Sequence, residues 1–455
     1  MPGTSTAAVR QTLSVADAIA IVVGIVVGAG IFETPPLVAS NTGSAFAAIA
    51  VWCLGGLLSF LGALCYAELA TTYPDSGGIY YYIRRAFGDT PAFLLGWARL
   101  AVIQTGSIAM LGFVFGDYAA KLAPLGRHSS SIYAALAVVA ITMVNIRGVQ
   151  FGRWTQNLLT ICKVAGLLAV VVAGLRMSPA ATVATVAAAP GPSHSRFGLM
   201  MVFVLLTYGG WQEAGFISAE LKQVRRNMTL ALMGSIGLIT AIYLLVNLAL
   251  LHGLGLRGVA TANAVATELM RGSAGELGAT LVSLLVMITA LGSLQGTVFT
   301  GARTNFALGR DFPIFSRLSE WSASSQTPRA SLAIQGAVAL VLVAMGTATR
   351  EGFKTMVEFT APVFWFFILL SGMALIVLRR REPEIERPFR VPAYPFTPIV
   401  FIATSAYLLY ASLAYTGLGA MAGVVVLLAG AAVLFASRLR QRFNNSRQPT
   451  VEEDS

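Results

Sequence analysis

Residues 22–36 read VVGIVVGAGIFETPP, and this stretch decides how the fold is interpreted. It is apolar enough to cross a membrane, yet it contains Gly24, Gly28 and Gly30 and ends with Glu33 and two prolines. Glycine in a helix interior costs about 1 kcal/mol relative to alanine. The stretch therefore indicates either a helix that is broken inside the membrane or a small-residue face that packs closely on another helix.

The composition of the whole chain supports a membrane setting. Of 455 residues, 56% are hydrophobic and 11% are charged, and the mean hydropathy is +0.74. Soluble domains carry about 25% charged residues, and a bilayer span needs about 20 apolar residues. The repeated apolar runs predict an all-α polytopic membrane protein with twelve helices. We place these helices near residues 13–40, 43–70, 90–120, 131–146, 155–176, 197–219, 230–252, 277–308, 330–347, 354–378, 396–414 and 418–437.

The net charge of +11 is explained by topology. Most of the 31 lysines and arginines fall in alternate loops, on the side that carries both termini when there are twelve helices. Because cytoplasmic loops hold the excess of Lys and Arg, we expect both termini in the cytoplasm and the chain in the cell inner (plasma) membrane. Because topology explains the positive charge, we expect membrane lipid around the protein and no nucleic-acid partner.

Residues typical of catalytic and metal sites are sparse. Cys53, Cys65 and Cys162 all lie within predicted spans, where cysteine is usually a small apolar residue. No His, Cys and carboxylate cluster has metal-ligand spacing, and no phosphate-binding loop is present. The sequence predicts no metal, no cofactor and no enzymatic activity.

The sixth predicted helix repeats the feature of the first. Residues 207–221 read TYGGWQEAGFISAEL, with two adjacent glycines in the middle of the run. Interruptions at matching positions of two five-helix halves are the best sequence indicator of an inverted-repeat transporter. Unwound N–H groups suit a carboxylate and unwound carbonyls suit an ammonium, so a zwitterionic amino acid fits the pair. Close helix packing by the glycines is the alternative.

Four further motifs carry a resemblance to a known family. GAGIF at 28–32, YAELATTYPDSGGIYYYIRRAFG at 66–88, FALGRDFPIFSRLS at 306–319 and RPFRVPAYPFTP at 387–398 occur in the order seen in that family. The chain resembles permeases of the amino acid–polyamine–organocation (APC) superfamily. YGGW at 208–211, residues 97–118 and residues 145–168 look most like its L-type branch and bacterial relatives.

The resemblance implies a LeuT-type fold, in which a 5+5 inverted repeat has helices 1 and 6 unwound and two further helices follow at the C-terminus. The implied organisation is a cytoplasmic N-terminal tail (1–12), a first repeat with TM1–5 (13–195), a second repeat with TM6–10 (196–385), TM11–12 (386–437) and a cytoplasmic C-terminal tail (438–455).

The substrate site is expected at the two breaks. Its predicted residues are Val26, Gly28, Ala29, Gly30, Ile31, Ile103, Thr207, Tyr208, Gly209 and Gly210. The substrate carboxylate would meet the N–H groups of residues 28–30, and its ammonium would meet carbonyls near Val26 and residues 207–209. Its side chain would point toward Ile103 and Tyr208, although packing roles for these two residues are equally compatible with the sequence.

The gate is less clearly marked. Relatives usually carry a bulky aromatic residue just before the break in helix 6, whereas Leu206 matches that position here and Phe203 lies one turn earlier. Trp211 is the third gate candidate. Trp365 is expected to face lipid or to pack, and Gln295 stands where many relatives have Asn.

Lys163 is an ionisable residue eight positions into predicted helix 5, which corresponds to about 12 Å of depth. Such groups are functional candidates because their burial is costly. By resemblance, its ammonium would replace the cation that sodium-coupled relatives bind and would hold helix-1 carbonyls, or it would carry a proton. Snorkelling to the inner face is the alternative.

Four other charged residues or groups have predicted roles. Arg99 lies eight or nine residues into its helix and is expected to snorkel to the cytoplasmic face. Glu213 has three open partners: a cationic substrate side chain, Lys163 or a backbone donor. Glu68, Asp75, Arg84 and Arg310 lie in the inner-loop motifs and are expected to form inner-gate ion pairs. Residues 381–390 read as a solvated inner loop.

The preferred hypothesis is a sodium-independent amino-acid transporter that works by alternating access, as an exchanger or with proton coupling. A neutral L-amino acid is favoured because few lining residues are charged. A cationic amino acid or a polyamine, with Glu213 as counter-charge, is the alternative substrate. An ion channel and a transporter-like nutrient sensor are the alternatives from other classes. No obligate glycoprotein subunit is expected, because no cysteine outside the spans is available to bind one, and the protein is expected to be a monomer or homodimer.

Overall fold

A computed structural model describes residues 11–179, 193–262, 264–349 and 352–445, and over these residues the secondary structure is helical. Most of the predicted N-terminal tail, the last ten residues of the predicted C-terminal tail and the loop at 180–192 lie outside the described residues. In chain order the helices are α1 (Val15–Val26), α2 (Gly30–Asn41), α3 (Ala45–Thr72), α4 (Ile79–Phe87), α5 (Asp89–Ala98), α6 (Gln104–Leu122), α7 (Ser129–Arg147), α8 (Val149–Arg176), α9 (Ser193–Thr207), α10 (Val224–Thr261), α11 (Val265–Asp311), α12 (Arg329–Thr349), α13 (Gly352–Arg381) and α14 (Phe396–Asn445).

Within the described ranges, ten helices are long and apolar enough to span a membrane, and the bent pair α1/α2 raises this number to eleven. The predicted sixth span does not add to this number because it is split. Its first part, α9, ends at Thr207, and a 3-10 segment follows over Trp211–Glu220. Each part alone is shorter than a span, so a protein with many apolar spans is confirmed and the total of twelve is not.

The first break separates α1 from α2, whose axes differ in direction by 50°. The start of α1 is fixed by a capping box, in which the N–H of Asp17 donates to Ser14 Oγ at 3.2 Å. At its end, the N–H of Gly28 donates to the carbonyl of Val26 at 2.8 Å, which closes a turn too tight for a helix. The glycines of the opening stretch therefore do interrupt the helix.

The second break centres on Gly210. This residue has φ of +118°, a conformation that only glycine adopts without strain. A Cβ atom at Gly210 would lie 2.8 Å from Ile25 Cγ2, so the two breaks are in direct contact. Around them pack α10, which contacts α1, α2, α3 and α8, and α11, which contacts α1, α6 and α8. The freed backbone groups are consequently enclosed by protein, as a bilayer requires.

One face of the molecule carries a group of ion pairs, and we call it the basic face. Arg84 pairs with Asp311 at 2.6 Å and with Asp89 at 2.8 Å, and Arg310 pairs with Asp75 at 3.4 Å. The buried Glu68 forms ion pairs with Arg379 and Arg387. The predicted inner-loop ion pairs are therefore present.

A further buried ion pair joins α11 to the 3-10 segment. Arg303 of α11 binds both carboxylate oxygens of Glu220, at the end of the 3-10 segment, and its guanidinium lies 3.5 Å from the ring centroid of Phe299. The 3-10 segment is thereby fixed to α11 at its C-terminal end.

Two differences from the predicted helix limits concern connections. The short helix α4 occupies part of the predicted link between helices 2 and 3, and α10 and α11 extend into the predicted loop at 253–276. Both of these helices are kinked at a glycine of positive φ, Gly255 and Gly275. The sequence did not predict these helical connections, because the short pieces are not apolar enough to resemble spans.

The last helix, α14, contains two apolar segments of span length, Phe396–Ala414 and Met421–Arg438, and the backbone between them is helical where we predicted a gap. Just before the first segment, the N–H of Val391 donates to Glu68, and at the end of the second, Arg438 donates to Thr90 beside Asp89. Both outer ends therefore lie at the basic face, and the chain turns back between the two segments.

Candidate functional site

A cavity of about 360 Å³ lies at the two breaks, which is within the range of small-molecule sites. Ten of the predicted residues line it: Val26, Gly28, Ala29, Gly30, Ile103, Phe203, Leu206, Thr207, Gly209 and Gly210. Residues that were not predicted add most of the polar wall: Glu33, Thr34, Gln104, Ser107, Gln212, Glu213, Ser293 and Thr297. Glu33 is solvent-exposed and lines the cavity, so it marks its open end.

Three of the predicted substrate and gate residues lie outside this cavity: Ile31, Tyr208 and Trp211. Ile31 is fully buried in the helix packing. Tyr208 is also fully buried; its ring packs on Trp52 and Tyr243, and its hydroxyl donates to the carbonyl of Trp52 at 3.1 Å. The expectation that the substrate side chain points toward Tyr208 is therefore corrected, because α9 ends at residue 207 and the next side chain turns away from the cavity.

Trp211 also faces away, into a smaller cavity of about 30 Å³. It packs edge-on against Tyr66 at a ring-centroid distance of 5.1 Å. Trp365 lines the same small cavity and is buried, so of its two predicted roles the packing one is found. Gln295 is buried away from both cavities, where its amide donates to Asn145 and to the carbonyl of Gly152.

The start of α2 offers backbone donors to the cavity. In the described part of the chain, the N–H groups of Ala29, Gly30 and Ile31 have no hydrogen-bond acceptor, as is usual in a first helical turn. The N–H of Gly28 was expected to join them but bonds to Val26. A helix N-terminus carries partial positive charge, so this turn suits a carboxylate.

Two carbonyls, one from each break, are joined by Tyr243 of α10. Its hydroxyl oxygen is 3.0 Å from the carbonyl oxygens of both Val26 and Thr207, one from each break. A phenol has one hydrogen, so it donates to only one of them at a time, and the other keeps its accepting capacity. This residue was missed from the sequence, although a tyrosine inside an apolar span signals a buried hydrogen bond.

We expect Tyr243→Phe to raise the KM for substrate about fivefold, because the carbonyls of the two breaks lose the hydrogen bond that holds them in position, and one buried hydrogen bond is worth about 1 kcal/mol. The measurement is saturable uptake into proteoliposomes. Tyr208→Phe is the matched control, since its hydroxyl bonds outside the cavity and its KM should stay unchanged. Equal KM values for the two variants would contradict the bridging role of Tyr243.

Lys163 is fully buried and does not snorkel. Its ammonium donates to the carbonyls of Gly24 and Val27 at 2.7 and 2.8 Å, and to that of Thr289 at 3.2 Å. It therefore contacts helix-1 carbonyls, the geometry that a cation substitute requires. Because α8 begins at Val149, the lysine is about 21 Å along its helix and not about 12 Å.

The prediction that Arg99 snorkels is wrong. Its side chain is 4% exposed and binds both oxygens of Glu213 at 2.8 and 3.0 Å. None of the three partners considered for Glu213 was this arginine. Arg99 begins a π-helical segment, Arg99–Ile103, whose wider turn directs the guanidinium inward toward Gln104. The sequence contains one sign of this pair, which is that two opposite charges, Arg99 and Glu213, both lie within predicted spans.

Over the ranges that the structure describes, no group of three His, Cys, Asp or Glu residues is placed to hold a metal ion. The chemistry offered by the cavity is recognition of charge by backbone groups, between two broken helices.

Comparison with known proteins agrees with this geometry. A family model described as amino acid permease matches residues 13–436. The chain belongs to the amino acid permease family. The permease is 28% identical to the serine/threonine exchanger SteT of Bacillus subtilis over 435 residues, which covers 95% of this chain and 98% of the relative.

Two human relatives extend the comparison. The b(0,+)-type amino acid transporter 1 is 30% identical over 422 residues, covering 89% of the permease and 83% of the relative. The cystine/glutamate transporter is 28% identical over 436 residues, covering 94% and 85%. The predicted APC resemblance and the predicted amino-acid transport function are confirmed, and the family is one of transporters and not of enzymes.

Proposed function

We propose that the permease moves a neutral L-amino acid across the membrane by alternating access without sodium, as an exchanger or with proton coupling. The observation that carries the proposal is the cavity at the two breaks, which is lined by residues with free backbone N–H groups and by residues with free carbonyls. The amino group of Lys163 lies against the carbonyls of Gly24 and Val27, where in its protonated form it would take the place of a bound sodium ion.

In the proposed complex, the substrate carboxylate accepts hydrogen bonds from the N–H groups of Ala29 and Gly30, which line the cavity. Its ammonium donates to whichever carbonyl, Val26 or Thr207, Tyr243 leaves available. The substrate side chain lies against Ile103, Phe203 and Leu206, which line the cavity. Phe203 and Leu206 are the proposed gate, since Trp211 lies outside the cavity.

The cationic alternative loses Glu213, the counter-charge on which it was based. It required the carboxylate of Glu213 to be available to a basic substrate side chain, and both of its oxygens are bound by Arg99. A neutral side chain needs no such partner, which favours the neutral substrate.

The proposed architecture is the LeuT-type 5+5 repeat with twelve spans. The pairs α1/α2 and α9/3-10 segment then count as the first and sixth spans, five spans apart, and each is broken at glycines. The proposed repeats occupy residues 13–195 and 196–385, with two further spans over 386–437.

The remaining proposals concern topology and assembly. Both termini are placed in the cytoplasm of a cell whose inner membrane holds the permease, with the basic face inside. A monomer or homodimer without an obligate glycoprotein is proposed because Cys53, Cys65 and Cys162 all lie within α3 and α8.

The test is uptake of a panel of labelled amino acids by proteoliposomes, with and without sodium, a pH gradient and internal amino acid. We expect saturable uptake of neutral L-amino acids that is the same in sodium and in choline. Stimulation by internal amino acid would identify exchange, and stimulation by an inward proton gradient would identify coupling. Uptake that occurs only in sodium would overturn the proposal.

A further inference from the structure

The ion pair of Arg99 and Glu213 lies directly behind the cavity wall. Arg99 Nη1 donates to Glu213 Oε1 at 3.0 Å, and Nη2 donates to Glu213 Oε2 at 2.8 Å. Nη2 also donates to Gln104 Oε1 at 2.7 Å. The two ionised side chains are 4% and 7% exposed, so both charges are nearly removed from solvent.

The members of this cluster are layered. Glu213 and Gln104 line the cavity, whereas Arg99 stands behind them, with its guanidinium 4.2 Å from the ring centroid of Phe216. The carboxylate that faces the substrate is therefore neutralised from behind by a residue that does not itself reach the cavity.

We propose that Arg99 sets the charge selectivity of the cavity by occupying Glu213, and so excludes substrates whose side chain carries a guanidinium or an ammonium. This inference rests on the proposed transport of neutral amino acids and deepens it. Arg99 acts through Glu213, so it is a positioning residue that makes no contact with the substrate.

Electrostatics explains the exclusion. A basic side chain beside Glu213 would meet a carboxylate whose charge is already neutralised by Arg99, and the arginine would be a second cation behind it, with both side chains less than a tenth exposed. Burying a charge without a partner is strongly unfavourable. The other carboxylate that lines the cavity, Glu33, is exposed, unlike Glu213.

Removal of the arginine should reverse the selectivity. In Arg99→Ala the carboxylate of Glu213 loses its partner, and the vacated space adjoins the cavity. We expect uptake of labelled arginine to rise about tenfold or more over the wild type, because the unpaired carboxylate of Glu213 now attracts the guanidinium of the substrate. Uptake of neutral amino acids should fall, because a neutral side chain leaves that buried carboxylate without a partner.

Two variants separate charge from structure. Arg99→Lys keeps a cation behind Glu213 and should still exclude arginine. The double variant Arg99→Ala/Glu213→Gln has the same space but no carboxylate, so it should gain no arginine uptake. A gain in the double variant equal to that in Arg99→Ala would overturn the proposal, since space alone would then explain it. Glu33→Gln in the Arg99→Ala background should leave the gain in place.

A binding assay tests the proposal even if a variant is expressed too poorly for uptake to be measured. Arginine should raise the unfolding temperature of detergent-solubilised Arg99→Ala and leave that of the wild type and of the double variant unchanged. If Arg99→Ala is not recovered from membranes, Arg99→Gln takes its place in both assays. Absence of both stabilisation and uptake by arginine overturns the proposal, as does arginine uptake by the wild type equal to its uptake of neutral amino acids. Absence of all amino-acid uptake by the wild type overturns the proposed function instead.

Discussion

Replacing Lys163 with methionine is expected to lower the rate of amino-acid uptake about 100-fold. Methionine has a similar length but cannot donate to the carbonyls of Gly24 and Val27, which the ammonium contacts at 2.7 and 2.8 Å. Hydrogen bonds from charged donors contribute about 1.5–3 kcal/mol each, and about 1.4 kcal/mol corresponds to a factor of ten. The end of α1, and with it the free N–H groups of the next turn, then loses its position.

The measurement is initial uptake into proteoliposomes, normalised to the amount of reconstituted protein. Lys121→Met provides the control, because Lys121 is exposed and its ammonium lies over the ring of Tyr118, where, within the described ranges, it contacts no backbone carbonyl of α1. Its uptake should stay within about twofold of the wild type, as for most surface changes. Uptake by Lys163→Met at the level of the Lys121 variant would show that the buried ammonium has no role in transport.

A single methyl group at Gly210 should have the second largest effect. With φ of +118°, an alanine there is strained by about 1–3 kcal/mol, and its Cβ would lie 2.8 Å from Ile25 Cγ2 and 3.4 Å from the amide nitrogen of Val26. The two broken segments would be pushed apart at the cavity. We expect Gly210→Ala to lower the unfolding temperature and to reduce uptake about tenfold or more.

Gly237→Ala is the matched control for this change. Gly237 lies in the middle of α10, and a Cβ built there has no atom within 4 Å. Alanine is the better helix former by about 1 kcal/mol, so this variant should be as stable as the wild type or more stable. If Gly210→Ala behaves like Gly237→Ala in both assays, the left-handed turn at Gly210 is not needed for the site.

The location of the cavity could be predicted from the sequence, because a glycine cluster inside each of two apolar runs indicates two helix breaks that must be enclosed by protein. The direction of individual side chains could not. Outside a regular helix there is no 3.6-residue period to place Thr207 in the cavity and Tyr208 behind it. Lys163 was identified, but its depth depended on α8 starting at Val149, and weakly apolar residues at a helix start give little sign of it.

Arg99 shows a different limit. A lone arginine near a span end usually extends to the membrane surface, and its sequence gives no sign of the π-helical turn that directs it inward. Glu213 was considered separately, 114 positions away. Only the fold shows that the two charges are partners, and the pair argues against the basic alternative, since it engages the carboxylate on which that alternative was based.

The hydroxyl of Tyr243 has one hydrogen for two carbonyls that belong to different breaks of the chain. Any cation that donates to the carbonyl of Val26 competes with this hydrogen and directs it to Thr207, and the reverse holds equally. Occupancy at one break therefore changes the hydrogen bonding at the other by a reciprocal free energy. The break before α2 and the break after α9 are thermodynamically linked through this one proton.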